Sequence, residues 1–365
     1  MSVKLRPRSK LVIGIVLLVA VAGTLTGRHF CKPKPVPRDS ESPLTLWPWP
    51  KAVKETPHPG VTVYTDRSSS NGDTLYLFDF DFAANPNLRL ELYDQDEDDA
   101  KPFDDRVDFW PRGVGQVTRH LNDGGRGRVL AAWNGTFFNS NGEAGGIASH
   151  VAPVVLNGKV YYNVGDIRWT VGVQYRDGKP VFKTLHQPDR KAHESEFTCA
   201  AAAVQCLIRG GAPLRLEPAP GVKKRRPVPS TPQEAGFVPG VNEINTSRTS
   251  IAWSRDNRHF YLLIVKEPDN ETVSFEARVT PRPDDGGWTV DDLQRFWQAF
   301  GAWGAVNLDG GDVTQLTALR KDGKYLLIPA AWGSKKLEMT CNSRFRGAPQ
   351  GGTMMYFYVR DTGVK

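Results

Sequence analysis

Near its C-terminus the chain carries Gly304-Ala305-Val306-Asn307-Leu308-Asp309-Gly310-Gly311-Asp312, an apolar run that stops at an amide, two carboxylates and two glycines. Such a run reads as a buried strand that delivers Asn307 and Asp309 to a sharp turn at a sheet edge. Glycines at 310 and 311 give the turn backbone freedom and leave room for a ligand, while the strand fixes the carboxylates. The design recurs upstream, where Val129 to Trp133 runs into Asn134-Gly135-Thr136-Phe137-Phe138-Asn139. A third apolar run, Ser250-Ile251-Ala252, opens with Arg248-Thr249, and an arginine fork suits carboxylate or phosphate oxygens. Taken singly, each has a plain structural reading: Asp-Gly forms turns by capping its own backbone, and a lone Arg makes a surface ion pair.

Together and in this order, the three segments resemble the phosphodiester glycosidase family. The resemblance runs through Asn134 to Asn139 with Gly145-Gly146, Arg248-Thr249 with Ser250 to Ala252, and Asn307 to Gly311. Two positions depart from the family pattern: Thr136 stands where a second glycine is usual, and Asp312-Val313 replace Gly-Ser. The resemblance implies an α+β fold, with a mixed, mainly β-sheet core and a few flanking helices, and hydrolysis of a sugar-1-phosphodiester. That cleavage builds an oxocarbenium-like centre, so the site needs a carboxylate near the anomeric carbon, a cation for the phosphate and donors for sugar hydroxyls. Asp309 would be the carboxylate, as base or electrostatic stabiliser, and Arg248 the phosphate clamp. Asp312 would be a second carboxylate or a metal ligand beside Asp309. Substrate contacts would come from Asn134, Asn139, Gly146, Thr249, Asn307, Gly310 and Gly311, and the partner would be a phosphorylated glycan or envelope polymer. Asp312 also opens a different reading, a non-catalytic glycan-binding or envelope-organising module. An acidic side chain where glycine is usual repels phosphate unless it recruits a divalent cation such as calcium.

Other chemistries lack their signatures: there is no Gly-x-Ser-x-Gly elbow, Walker phosphate loop or His-Glu-x-x-His pair, and no redox cofactor motif. The formal charge of +7 invites nucleic acid, but its position argues against that partner. Eight basic residues, Lys4 to Arg38, precede the first acid, Asp39; with them set aside, 39 basic residues face 40 acidic ones.

Those early charges flank the uncharged stretch Leu11 to Gly27, so residues 1–27 read as a signal anchor or cleaved signal peptide. The expectation is an extracytoplasmic protein, periplasmic or at the cell surface, held to a membrane by this segment or secreted. Residues 28–60 are dense in proline, which favours an extended spacer; Trp47 and Trp49 within it either pack on the domain or meet a membrane interface. The glycosidase-like domain then spans 61–365.

Within it, alternation predicts strands at Val61 to Tyr64, Thr74 to Phe82, Leu88 to Tyr93, Trp169 to Tyr175 and Phe260 to Lys266. Asn157-Gly158 suits the two-residue turn of a hairpin. Thr289 with Asp291 and Asp292 opens a helix whose Val290, Leu293, Phe296, Trp297 and Phe300 share one face and which Gly301 ends. The acidic run from Asp94 to Asp105 offers oxygens to calcium through Asp94-x-Asp96-x-Asp98, yet Asp99 stands where a calcium loop needs glycine, so a solvated, self-repelling loop is the default. His150 follows the Gly145-Gly146 loop and is an outside candidate for an acid. Cys199 and Cys206 are close enough in sequence for a local disulfide in an exported chain. Lys223-Lys224-Arg225-Arg226 reads as a solvated loop or an anion-attracting one, and Asn134, Asn245 and Asn270 open glycosylation sequons.

Overall fold

Strands buried on both faces form the centre of this molecule. In Thr74–Asp81 and His259–Lys266, residues Phe78, Phe80, Leu262 and Ile264 enter one core while Leu75, Leu77, Leu263 and Val265 enter another, which the two-residue period of a strand requires. The computed structural model describes residues 47–364 apart from 70–71, 105, 109–111, 141–146, 163–166, 187–189, 218–230, 239–240, 268–285 and 331–352. Calls on Gly145-Gly146, Lys223 to Arg226, the Asn270 sequon and the leader 1–27 therefore lie outside the described residues.

An eight-stranded sheet runs in the order Val53–His58, Val61–Asp66, Thr74–Asp81, His259–Lys266, Arg248–Trp253, Gly304–Asn307, Gln205–Arg209 and Ala212–Pro213. A second, of five strands, places Arg128–Asn134 between Leu316–Leu319 and Met355–Asp361, with Tyr325–Ile328 and Leu88–Asp94 at its edges. A third, also of five, centres on Cys199–Ala203, and a small sheet of three holds Phe138–Ser140 and Ile147–His150. The three larger sheets share one hydrophobic core, with Phe80, Trp133, Val171, Phe260 and Phe357 among its members. The expected α+β fold is thus mostly β, with few helices.

Helix α1, Val114–Asp123, packs on the outer face of the second sheet through Val114, Val117 and Leu121. Helix α2, Arg190–Glu196, contacts the third sheet, and α3, Val290–Phe300, covers the outer face of the first. The start of α3 is a capping box, with Thr289 and Asp292 bonding each other's backbone N–H, and Gly301 ends it at φ 84°, where a Cβ would be strained.

Three expectations need correction. Residues 47–60 are not spacer: Val53–His58 pairs with Val61–Asp66, and Trp49 packs against Phe296 of α3 with ring centroids 5.7 Å apart, so the fold reaches back to Trp47. Pro57 is tolerated because this strand is a sheet edge with a register shift between Glu55 and His58. Cys199 and Cys206 are free and buried, on strands of two different sheets. The acidic run is solvated only in part, with Asp98 and Asp104 exposed but Asp94 and Asp96 buried, and it is not a calcium loop. Asp94 faces the His150 imidazole at 2.8 Å, Asp96 accepts from Tyr162, and Asp98 meets Arg112 and His120, each at 2.8 Å. Three carboxylates with three separate partners do not converge on one ion. Among the described residues, no group of three or more His, Cys, Asp or Glu is placed to hold a metal ion, and no helix is long and apolar enough to cross a membrane.

Candidate active site

The first and second sheets meet where Gly304–Asn307 and Arg128–Asn134 end. Asp309 donates its backbone N–H to Gly135 O at 3.0 Å, and Asn134 Nδ2 donates back to Asp309 O at 2.8 Å. Asn134 Oδ1 accepts from Thr249 Oγ1 at 2.9 Å and from the Gln315 N–H at 3.1 Å. One buried amide therefore ties together the three segments singled out in the sequence. Asn134 spends its amide nitrogen and oxygen, and Thr249 its hydroxyl, on these bonds, so they act as a clasp beneath the site; the expectation that Asn134 orients a sugar does not fit this geometry.

Glycine is needed in the turn for a different reason than ligand approach. A Cβ on Gly310 would come within 2.8 Å of Ser247 O, and Gly311, at φ 63°, donates to that same carbonyl at 2.7 Å. The chain thus folds tightly onto the segment before Arg248. This leaves Asp309 with its Oδ1 accepting from the Gly310 N–H at 2.8 Å and only 8% exposure. Burial outweighs that bond and the attraction of Arg248, and pushes the carboxyl up to about 8. The neutral form of Asp309 is thereby favoured near neutral pH, and in that form a carboxyl can give up a proton but not accept one.

Arg248 is 1% exposed, with Nε donating to Trp288 O at 2.7 Å and Nη2 to Val241 O and Ile244 O at 2.9 and 2.6 Å. Burial lowers its pKa to about 10 against the pull of Glu267, Asp292 and Asp309, so it stays charged at neutral pH. Its cationic field reaches Asp309, while Nη1 carries the N–H groups that those carbonyls do not engage. Asn307, 1% exposed, donates Nδ2 to Gln205 Oε1 at 2.7 Å.

Not every expected residue joins the cluster. Asn139 is exposed on the small three-stranded sheet and no described contact links it to Asp309. Gly146 lies outside the described residues. Asp312 lies in the single turn Gly311–Val313, with its side chain outside the description. Sequence reasoning missed four neighbours. Ser247 Oγ donates to Glu267 at 2.9 Å, Lys266 Nζ donates to Thr314 O at 2.9 Å from a fully buried position, and Gln315 anchors Asn134. The available signal was Lys266-Glu267, two charges ending an apolar strand beside Arg248.

The sequence model for phosphodiester glycosidases matches residues 127–337, more than half of the chain, and the chain belongs to that family. Among solved structures, a hypothetical protein from Synechocystis has the same fold, with a TM-score of 0.52 and 13% identity over 86% of this chain. The chain covers 64% of that protein's length. The zebrafish N-acetylglucosamine-1-phosphodiester alpha-N-acetylglucosaminidase catalytic domain, auto-inhibited by its pro-peptide, gives a TM-score of 0.48 and 14% identity, covering 85% of this chain and 87% of that one. No curated protein matches the chain.

Proposed function

We propose that this chain hydrolyses sugar-1-phosphodiester bonds in envelope polymers or glycoconjugates, as an exported protein held at a membrane by residues 1–27 or secreted. The observation that carries this reading is Asp309: a nearly buried carboxyl, protonated at neutral pH, in the field of a permanently charged guanidinium and at the meeting point of the three family segments. In this mechanism Asp309 gives its proton to the departing phosphate oxygen, while the Arg248 charge offsets the negative charge of the phosphate group. Arg248 is fixed before substrate arrives by its three carbonyl bonds, so the stabilisation needs no reorganisation. Glycosidases of this kind use a second carboxylate against the anomeric carbon or its attacking water, and Asp312 is the residue proposed for it.

The test is release of N-acetylglucosamine and the aryl phosphate from an aryl phosphodiester of N-acetylglucosamine, by wild type and Asp309→Asn, with calcium or EDTA. Turnover lost in the variant supports the proposal, and loss with EDTA that calcium restores shows that a divalent cation takes part. Binding without turnover in the wild type, unchanged in Asp309→Asn, would instead identify a glycan-binding module.

A further inference from the structure

Asn307 ends a chain of side-chain amides whose direction is set at its far end. The Val238 N–H donates to Asn242 Oδ1 at 2.9 Å, which fixes that amide with its oxygen toward Val238. Gln205 Nε2 donates to the same oxygen at 2.8 Å, so Gln205 must present Oε1 to the next member, and Asn307 Nδ2 donates to it at 2.7 Å. An amide that has committed its nitrogen has its oxygen turned the other way. Asn307 Oδ1 is buried and has no hydrogen-bond partner among the described residues. Leaving a buried carbonyl unpaired is unfavourable, and the ladder prevents the amide from turning to relieve it.

Position ties this acceptor to the site. Asn307 is paired directly with Ser250, two residues beyond Arg248, so it shares a sheet face with Arg248, and such diagonal neighbours lie about 7–8 Å apart. It also precedes Asp309 by two residues. The loop above is held from both sides, by Arg248 through Val241 O and Ile244 O and by Gln205 through Asn242.

We propose that Asn307 Oδ1 accepts a hydrogen bond from one O–H or N–H of the bound sugar, and that Gln205 and Asn242 are positioning residues that keep it an acceptor. The inference rests on a sugar 1-phosphate group binding beside Asp309 and Arg248. It assigns the site a polarity: a sugar that offers a donor at one ring position is held, and one that offers only an acceptor there is rejected.

The experiment uses the full chain and calorimetric binding of N-acetylglucosamine 1-phosphate and glucose 1-phosphate. Each is compared with monodeoxyfluoro analogues, which keep an acceptor and lose the donor, and glucose 1-phosphate also tests the acetamido N–H. In the wild type, one substitution weakens binding about tenfold or more, the consequence of an unpaired buried acceptor. In Gln205→Met, and in the milder Asn242→Ser should the first fail to fold, that discrimination falls to near unity while the fluoro analogue binds as before. Discrimination unchanged in both variants, or no discriminated position although sugar phosphates bind, overturns the inference and leaves the glycosidase reading standing. Binding of no sugar phosphate overturns the reading itself, and the inference with it.

Discussion

Asp94 ends the strand Leu88–Asp94 and Asp309 lies two residues beyond the strand Gly304–Asn307, and both turn their side chains back onto the following backbone. Asp94 Oδ1 accepts from the Asp96 N–H at 3.1 Å, as Asp309 Oδ1 accepts from Gly310. They differ in their second oxygen. Asp94 Oδ2 meets the His150 imidazole at 2.8 Å, with both side chains fully buried, and His150 stacks on Tyr162 with ring centroids 3.8 Å apart. Asp309 has only the more distant charge of Arg248, whose N–H groups hold backbone carbonyls instead. A directly paired carboxylate is tied into the fold. One that is buried without a direct partner keeps its proton to higher pH, which suits it to acid–base chemistry.

The largest expected effect separates the two on rate. Asp309→Asn, nearly isosteric but unable to give up a proton, should lower turnover of the aryl phosphodiester by about 10²–10⁴-fold, the usual contribution of a general acid. Asp94→Ala should leave turnover per folded molecule unchanged. Its effect is on stability: removing one member of a buried pair and the cap of the Gln95–Asp98 turn costs on the order of 3 kcal/mol, read as a shift in urea midpoint. Equal rate losses in the two variants would erase the distinction.

The same contrast has a pH signature. Folded Asp309 holds its proton up to about 8, whereas in the unfolded chain it loses it near the ordinary carboxyl value of 3.8. Between those limits the folded state binds more protons, so this residue makes stability fall as pH rises from about 4 to about 8, with no further loss above. Asp309→Asn should remove that slope and melt at a higher temperature than wild type at pH 9. Wild-type turnover should also fall through about pH 8 as the acid ionises, while Arg248, with its pKa near 10, remains charged over that limb. A rate that rises through pH 8 would mean that Asp309 works as a base.

Much of this was legible from local pattern, and what was not depends on distant partners. The strands at Thr74 and His259, helix α3 and the Asn157-Gly158 turn were readable because periodicity and turn chemistry act over a few residues; the turn shows φ of 52° and 76° as its type requires. The order of the Asn134, Arg248 and Asp309 segments suggested a shared site only through its resemblance to a family pattern, since each segment alone has a plain structural reading. Val53–His58 was hidden because proline and charge obscure an edge strand that only its neighbour specifies. The acidic turn was misread because its charges are answered by His150, Tyr162 and Arg112, between 14 and 66 residues away. The sequence offers Asp309 as a candidate carboxylate, but the upward shift of its pKa follows from burial, which no local pattern records.

A small effect tests whether burial is the cause within the acidic turn itself. Asp98 belongs to the same turn as Asp94, yet its side chain is 31% exposed and its His120 partner 43% exposed. Water there screens the pair and competes for its hydrogen bonds, and Asp98 keeps Arg112 and the Tyr93 hydroxyl when His120 is replaced. His120→Gln should therefore cost less than about 1 kcal/mol in urea unfolding at pH 6, well below the effect of Asp94→Ala. A loss as large as that of Asp94→Ala would show that charge pairing, independent of depth, holds the turn, and the contrast with Asp309 would then rest on its lack of a bonded cation alone.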